Sequence, residues 1–197
     1  MVILILEGIA TSGKTAVKNE LEKALKEEGL KSSVVGEEET LMPILDNTKK
    51  NVSVDHLKKI IRAALRSAKK KDVLIFDRLF FTHVFRTQSD IKDFEEIEKI
   101  FKGDVLLVFL KINENKISQR ISSAMKHRPK KWGDYVKKKG TMVEIFQYYK
   151  HQQRLLLDLL KKTSIPHRVY NSTNMDFKGI KNKILKAVLV NSKKSNI

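Results

Sequence analysis

The sequence predicts a three-layer α/β/α fold around a mostly parallel sheet, on three observations. Short apolar runs alternate with segments of helical periodicity along the chain. The runs are continuous rather than alternating, as strands covered on both faces require. Helix-like stretches stand between them and supply the crossovers that parallel strands need.

Val2–Leu6 is apolar, rich in β-branched residues and ends at a glycine, which reads as a buried strand. Lys14–Glu28 places Val17, Leu21, Ala24 and Leu25 at helical spacing, with Gly29 as a stop. A short strand is expected over Lys31–Gly36 and a helix over Val54–Lys70, the latter on the stripe Leu57, Ile60, Ile61, Ala64, Leu65 and Ala68. Val73–Phe76 is the third strand and runs directly into Asp77. Leu79–Thr87 and Ile91–Phe101 read as two helices, Val105–Leu110 as a fourth strand and Asn113–Met125 as a helix. Lys126–Gly140 is basic, polar and aperiodic, and reads as a long loop or a loosely helical flap. Thr141–Lys161 is a long helix, His167–Tyr170 a last strand and Phe177–Val190 a closing helix, with 191–197 expected to fray. No linker or repeat interrupts the order, so one domain over 1–197 is expected.

Composition narrows the function classes. The 197 residues are 41% hydrophobic and 32% charged, as in a folded soluble protein. With no cysteine, a disulfide framework, a thiolate zinc site and a cysteine nucleophile are excluded. No apolar run approaches the ~20 residues of a membrane span. The N-terminal run lacks a leading positive charge and is cut short by Glu7 and Gly8, so an intracellular, cytoplasmic protein is expected. The net charge of +17 admits a nucleic-acid partner. Only eight of the 40 basic residues are arginine, so a generally cationic surface is favoured over a base-reading one.

The first strand is followed by Gly8-Ile9-Ala10-Thr11-Ser12-Gly13-Lys14-Thr15, the P-loop pattern G-x-x-x-x-G-K-[ST]. Glycines at both ends let the backbone turn tightly and aim several N–H groups at one phosphate. The following helix adds its positive end. Lys14 reaches the β/γ-phosphates and Thr15 offers its hydroxyl to Mg²⁺, so ATP and Mg²⁺ are the expected cofactors.

In parallel sheets the ligand crevice lies outside the carboxyl ends of the strands. Asp77 stands there, suited to hold Mg²⁺ or its waters, or alternatively to cap the next helix. Arg78 points at the same crevice. After the second strand, Glu37, Glu38 and Glu39 include a candidate general base, with Glu38 the first choice, or form a solvated acidic turn. In and before the flap, Arg120 and Arg128 are candidates to close over the transferring phosphoryl group, because guanidinium pairs bidentately with phosphate. A solvated loop, or a nucleic-acid patch with Trp132 and Tyr135 stacking on bases, are the competing readings. Phe80, Phe81 and Phe85 can sandwich a base, with Arg86 or Gln88 reading its edge, or belong to the core.

In the order of these elements the chain resembles the thymidylate kinase and deoxynucleoside kinase group of P-loop kinases. The resemblance rests on Glu7-Gly8 through Gly13-Lys14-Thr15, the acidic turn, Asp77-Arg78, the basic lid with Arg120 and Arg128, and Tyr149-Lys150-His151. It implies a parallel five-stranded sheet, a mobile lid over 126–140 and a homodimer. The chain departs from thymidylate kinases at Ala10, where an acid is usual, at Leu79, where a tyrosine is usual, and before Glu37, where an arginine for an acceptor phosphate is usual. A nucleoside acceptor is therefore expected ahead of a nucleoside monophosphate. A nucleic-acid-binding ATPase is the alternative of a different class.

Overall fold

The computed structural model describes residues 1–101 and 105–194. Five strands form one sheet: β1 (Val2–Glu7), β2 (Ser32–Val35), β3 (Val73–Asp77), β4 (Val105–Lys111) and β5 (His167–Asn171). Their order is β2-β3-β1-β4-β5, and every neighbouring pair is parallel. The connections after β1 move toward one edge and those after β3 cross to the other. The carboxyl end of β1 therefore opens a crevice at the centre of the sheet.

Strand residues alternate between two apolar layers. Val2, Leu4, Leu6, Val73, Ile75, Leu106, Val108 and Leu110 face α1 (Lys14–Glu27) and α9 (Phe177–Lys194), where Val17, Leu21, Leu25, Ile180, Ile184 and Val188 complete the packing. Ile3, Ile5, Leu74, Phe76, Leu107 and Phe109 face the other side. That side is covered by α3 (Lys50–Ser67), α4 (Phe80–Thr87), α5 (Glu95–Ile100), α6 (Glu114–His127) and α8 (Met142–Leu160). Burial on both faces explains why the strands read as unbroken apolar runs. Among the described residues, no helix is long and apolar enough to cross a membrane.

Several elements differ from expectation. Glu37–Thr40 forms a short helix, α2, directly after β2. The helix expected from Val54 begins four residues earlier, at Lys50. Ile91–Phe101 divides into a 3₁₀ turn, Ile91–Phe94, capped by Asp90, and α5. Of the two readings of Lys126–Gly140, a long loop or a loosely helical flap, the helical one holds over most of the segment. α6 continues to His127, and after Arg128-Pro129 a new helix, α7, spans Lys130–Lys137. Pro129 ends one helix and starts the next, and Val136 is buried against the core. Thr141 then caps α8, accepting from the Glu144 N–H while the Glu144 carboxylate accepts from the Thr141 N–H. α9 continues through Lys194, beyond the expected end at Val190, and residues 195–197 of the expected frayed tail lie outside the described residues.

Candidate nucleotide-binding site

The P-loop joins β1 to α1 at the centre of the crevice. Two glycines are required by space as well as by backbone angle. At Gly8, φ +143°, a Cβ would lie 2.6 Å from the Leu110 carbonyl oxygen. At Gly13, φ +94°, it would lie 2.1 Å from the ring of Phe177 at the start of α9. Thr11 also has a positive φ, 69°, a left-handed backbone costing roughly 1–3 kcal/mol in a non-glycine residue. The loop is thus held in an unfavourable conformation by its surroundings.

Lys14 is buried and donates to the carbonyls of Gly8 at 2.9 Å and Ile9 at 3.1 Å. Burial, aided by the charge of Arg78, lowers its pKa to about 8, although Glu37, Asp77 and Glu7 oppose the shift. Thr15 is exposed in the first turn of α1 and lines the cleft.

Asp77 ends β3 beside Leu6 in the sheet register. Its Oδ2 is 3.3 Å from the Lys18 ammonium, while Oδ1 is buried and has no partner among the described residues. Asp77 does not cap α4: the cap position is Leu79, with no side-chain cap. An unpaired carboxylate oxygen on a residue that lines the same cleft as Thr15 fits Mg²⁺, a hard cation that completes its shell with phosphate oxygens and water. Thr15 and Asp77 are the residues that would hold it. The hydroxyls of Thr11 and Ser12 are likewise buried and unpaired.

Arg78 is strained, with φ 65°, and its N–H continues the ladder to the Leu6 carbonyl at 3.0 Å. Its guanidinium Nε lies 2.5 Å from Glu37 Oε1, a close ion pair without an aligned N–H···O bond. Burial works to raise the Glu37 pKa, but Arg78 and Lys14 together hold it below the usual carboxylate range. Glu38 lines the cleft as well, and Glu39 turns back to accept from the Gly36 N–H at 3.4 Å. Beneath them Glu7 is fully buried, accepting from the Leu79 N–H at 2.9 Å and the Thr82 hydroxyl at 3.3 Å. Burial pushes its carboxyl up, against those bonds and the charges of Arg78 and Lys14.

The two candidate lid arginines differ in position. Arg120 lies within α6, and its guanidinium donates to the carbonyls of Thr11 at 2.5 Å and of Ser172 and Thr173 at 3.4 Å. It ties the P-loop to the loop after β5. Arg128 is exposed between α6 and α7, with its guanidinium carbon 4.7 Å from the centre of the Trp132 ring. Both face one cleft of about 550 Å³ together with Ala10, Thr11, Gly13, Lys14, Thr15, Glu38, Asp77 and Arg78. Of the predicted residues, Gly8 and Ser12 are buried and do not line it.

The aromatic segment after Arg78 is core rather than an open base slot. Phe80 and Phe81 are fully buried, and Phe85 packs edge-on against Tyr148 at 5.3 Å. His83 is buried, which lowers its pKa to about 3 and keeps it neutral. Its Nε2 sits 3.1 Å from the Thr40 carbonyl, so that nitrogen carries the proton and α4 is tied to the end of α2.

Sequence reasoning missed Glu37 as the partner of Arg78, Glu7 as a site residue, and Lys18, Met175 and Phe177 as residues of the cleft wall. Glu7 was signalled by an acid closing an apolar strand, and Lys18 by its place one helical turn after Lys14. Nothing near Phe177 in the chain points to Gly13.

Among solved structures, the chain is similar to the YorR protein of Bacillus subtilis in complex with phosphorylated GDP. The TM-score is 0.69 at 14% identity, covering 96% of each chain. It is also similar to deoxyadenosine kinase of M. mycoides with products dCMP and a flexible dCDP bound, with a TM-score of 0.57 at 14% identity, covering 96% of this chain and 100% of that one. At such identity the likeness establishes the fold, a P-loop kinase fold. A search of curated proteins gives no match. The family model described as "Chromatin associated protein KTI12" matches residues 1–151, from the P-loop through the first half of α8, and on that match the chain belongs to the KTI12 family.

Proposed function

We propose that the protein is an ATP- and Mg²⁺-dependent phosphotransferase. The observation that carries this reading is the convergence of an intact P-loop, the unpaired Asp77 Oδ1 and the Arg78–Glu37 pair on one cleft. Lys14 exchanges the carbonyls of Gly8 and Ile9 for phosphate oxygens, and the loop N–H groups complete the cradle. Mg²⁺ held by Thr15 and Asp77 supplies charge neutralisation at the phosphates. The acceptor hydroxyl approaches beside Glu37, which orients it. A bond forms from its oxygen to the γ-phosphorus while the bond to the ADP oxygen breaks, and its proton passes to Glu37. With its pKa held low, Glu37 is a weak base. The loose transition state of phosphoryl transfer suits this, since it develops little need for early proton removal. Arg78 fixes Glu37, and Arg128 lies on the lid side of the transferring group.

A nucleoside is the acceptor this reading puts first, as a deoxyadenosine kinase and a protein complexed with phosphorylated GDP share the fold. The closed aromatic segment after Arg78 argues that such an acceptor uses the open cleft rather than a slot between rings. A second reading, a nucleic-acid-stimulated ATPase, is favoured by the net charge of +17 and by the family's description as chromatin associated.

ADP production separates them when measured across nucleosides, nucleoside monophosphates and short DNA and RNA, with Lys14→Ala as control. Turnover on one small acceptor, lost in the variant, supports the kinase reading. Hydrolysis stimulated only by nucleic acid, and falling steeply with salt, overturns it in favour of the second.

A further inference from the structure

Lys18 stands one turn after Lys14 on α1 and lines the cleft. Its ammonium lies 3.3 Å from Asp77 Oδ2, with the two side chains 18% and 5% exposed. The second carboxylate oxygen, Oδ1, has no partner among the described residues. Asp77 therefore has one oxygen beside a resident ammonium and a second, buried, that no described protein group answers. Lys14 makes no such bond. Its hydrogen bonds go to main-chain carbonyls.

We propose that Lys18 is a built-in competitor for the divalent cation at Asp77, and that it sets the Mg²⁺ concentration at which nucleotide binds. The inference rests on the Mg²⁺-nucleotide reading above. Three physical points support it. The pair is mostly shielded from water, so salt screens it weakly. A Mg²⁺ ion of this kind takes one or two protein oxygens and draws the rest from phosphates and water, so partial neutralisation of Asp77 removes much of what the protein contributes. Lysine carries its charge on a flexible four-carbon stem and can leave the carboxylate without disturbing α1. Thr15, three residues before it on the same helix, is left free to act with the released carboxylate.

The test is binding of a fluorescent N-methylanthraniloyl-ATP, titrated with Mg²⁺, to the full chain and to Lys18→Met and Lys18→Arg. Bound Mn²⁺ is counted by electron paramagnetic resonance in parallel. Lys18→Met is expected to lower the Mg²⁺ midpoint about tenfold, the scale of one partly shielded charge pair. Lys18→Arg, which keeps the charge, is expected to stay near the parent midpoint. Thermal unfolding shows that the variants are folded, and Lys18→Gln replaces Lys18→Met if that one is not. An unchanged midpoint, with nucleotide bound normally, overturns the proposal and leaves the nucleotide reading standing. A raised midpoint also overturns it, because Lys18 then supplies charge to the phosphates. Failure of the parent chain to bind nucleotide at any Mg²⁺ concentration overturns both.

Discussion

Around the P-loop the cations are buried or half-buried and answered by protein oxygens. Lys14 is held by two carbonyls, Arg78 by Glu37, Arg120 by three carbonyls and Lys18 by Asp77. On either side of α7 the same residue types rest on rings. Arg128 lies over Trp132, and the Lys139 ammonium is 4.3 Å from the centres of both Tyr135 and Tyr148. A buried ion is costly unless matched, so the cradle keeps each charge beside an oxygen. A cation on an aromatic face gains about 0.5–1 kcal/mol at an exposed site and gives it up easily. One region answers its cations with oxygens and the other with rings, although both are simply basic in the sequence.

The sharpest way to break this contrast is at Lys14. Lys14→Ala is expected to reduce turnover by about 10²- to 10³-fold, the scale of one lost donor to developing charge, read in the ADP assay. Next comes Glu7. Its replacement by alanine leaves the Leu79 N–H and Thr82 hydroxyl unanswered in a closed core and removes a charge facing Arg78. A loss of about 3 kcal/mol in urea unfolding is expected, whereas an unchanged midpoint would show that the charges around β1 are not a coupled set.

Between these and the lid stands a pH effect with two opposed signs. Folding lowers the Lys14 pKa from its ordinary 10.5 to about 8. Between those values the unfolded chain binds more protons than the folded one, so Lys14 makes stability rise with pH across that window. Phosphate needs the protonated amine, so nucleotide affinity is expected to fall as pH rises through about 8. Chemical denaturation and nucleotide titration over the same pH series read the two trends. Parallel trends would place the titration elsewhere.

The smallest effect is expected at the lid. Lys139→Ala loses its two ring contacts, about 0.5–1 kcal/mol. It should leave global unfolding almost unchanged while speeding amide hydrogen exchange over α7. A large fall in global stability would mean that α7 belongs to the rigid part after all.

How far the sequence could be read follows from the same physics. The P-loop is contiguous chemistry, and Gly8 through Thr15 stand in the cleft wall or directly beneath it. The five strands were visible because burial on both faces writes an unbroken apolar run. α7 was legible only as a loosely helical alternative: Trp132, Tyr135 and Val136 stand at helical spacing, but among eight positions rich in lysine the stripe is short, and packing against α6 and α8 completes the helix. Glu37 could not be separated from Glu38 and Glu39, because the choice depends on where a left-handed Arg78 aims its guanidinium. The aromatic run after Arg78 was legible as apolar. Its closure by Tyr148 from α8 was not.

The contact between Gly13 and Phe177 bears on the order in which the chain leaves the ribosome. The P-loop is made well before α9, yet the ring packed against its second glycine belongs to that helix. Until that helix emerges, the apolar face of α1 and the back of the loop lack their covering layer. The nascent chain thus carries the complete P-loop motif before it has the wall that shapes it, and the loop's shape is completed only with α9.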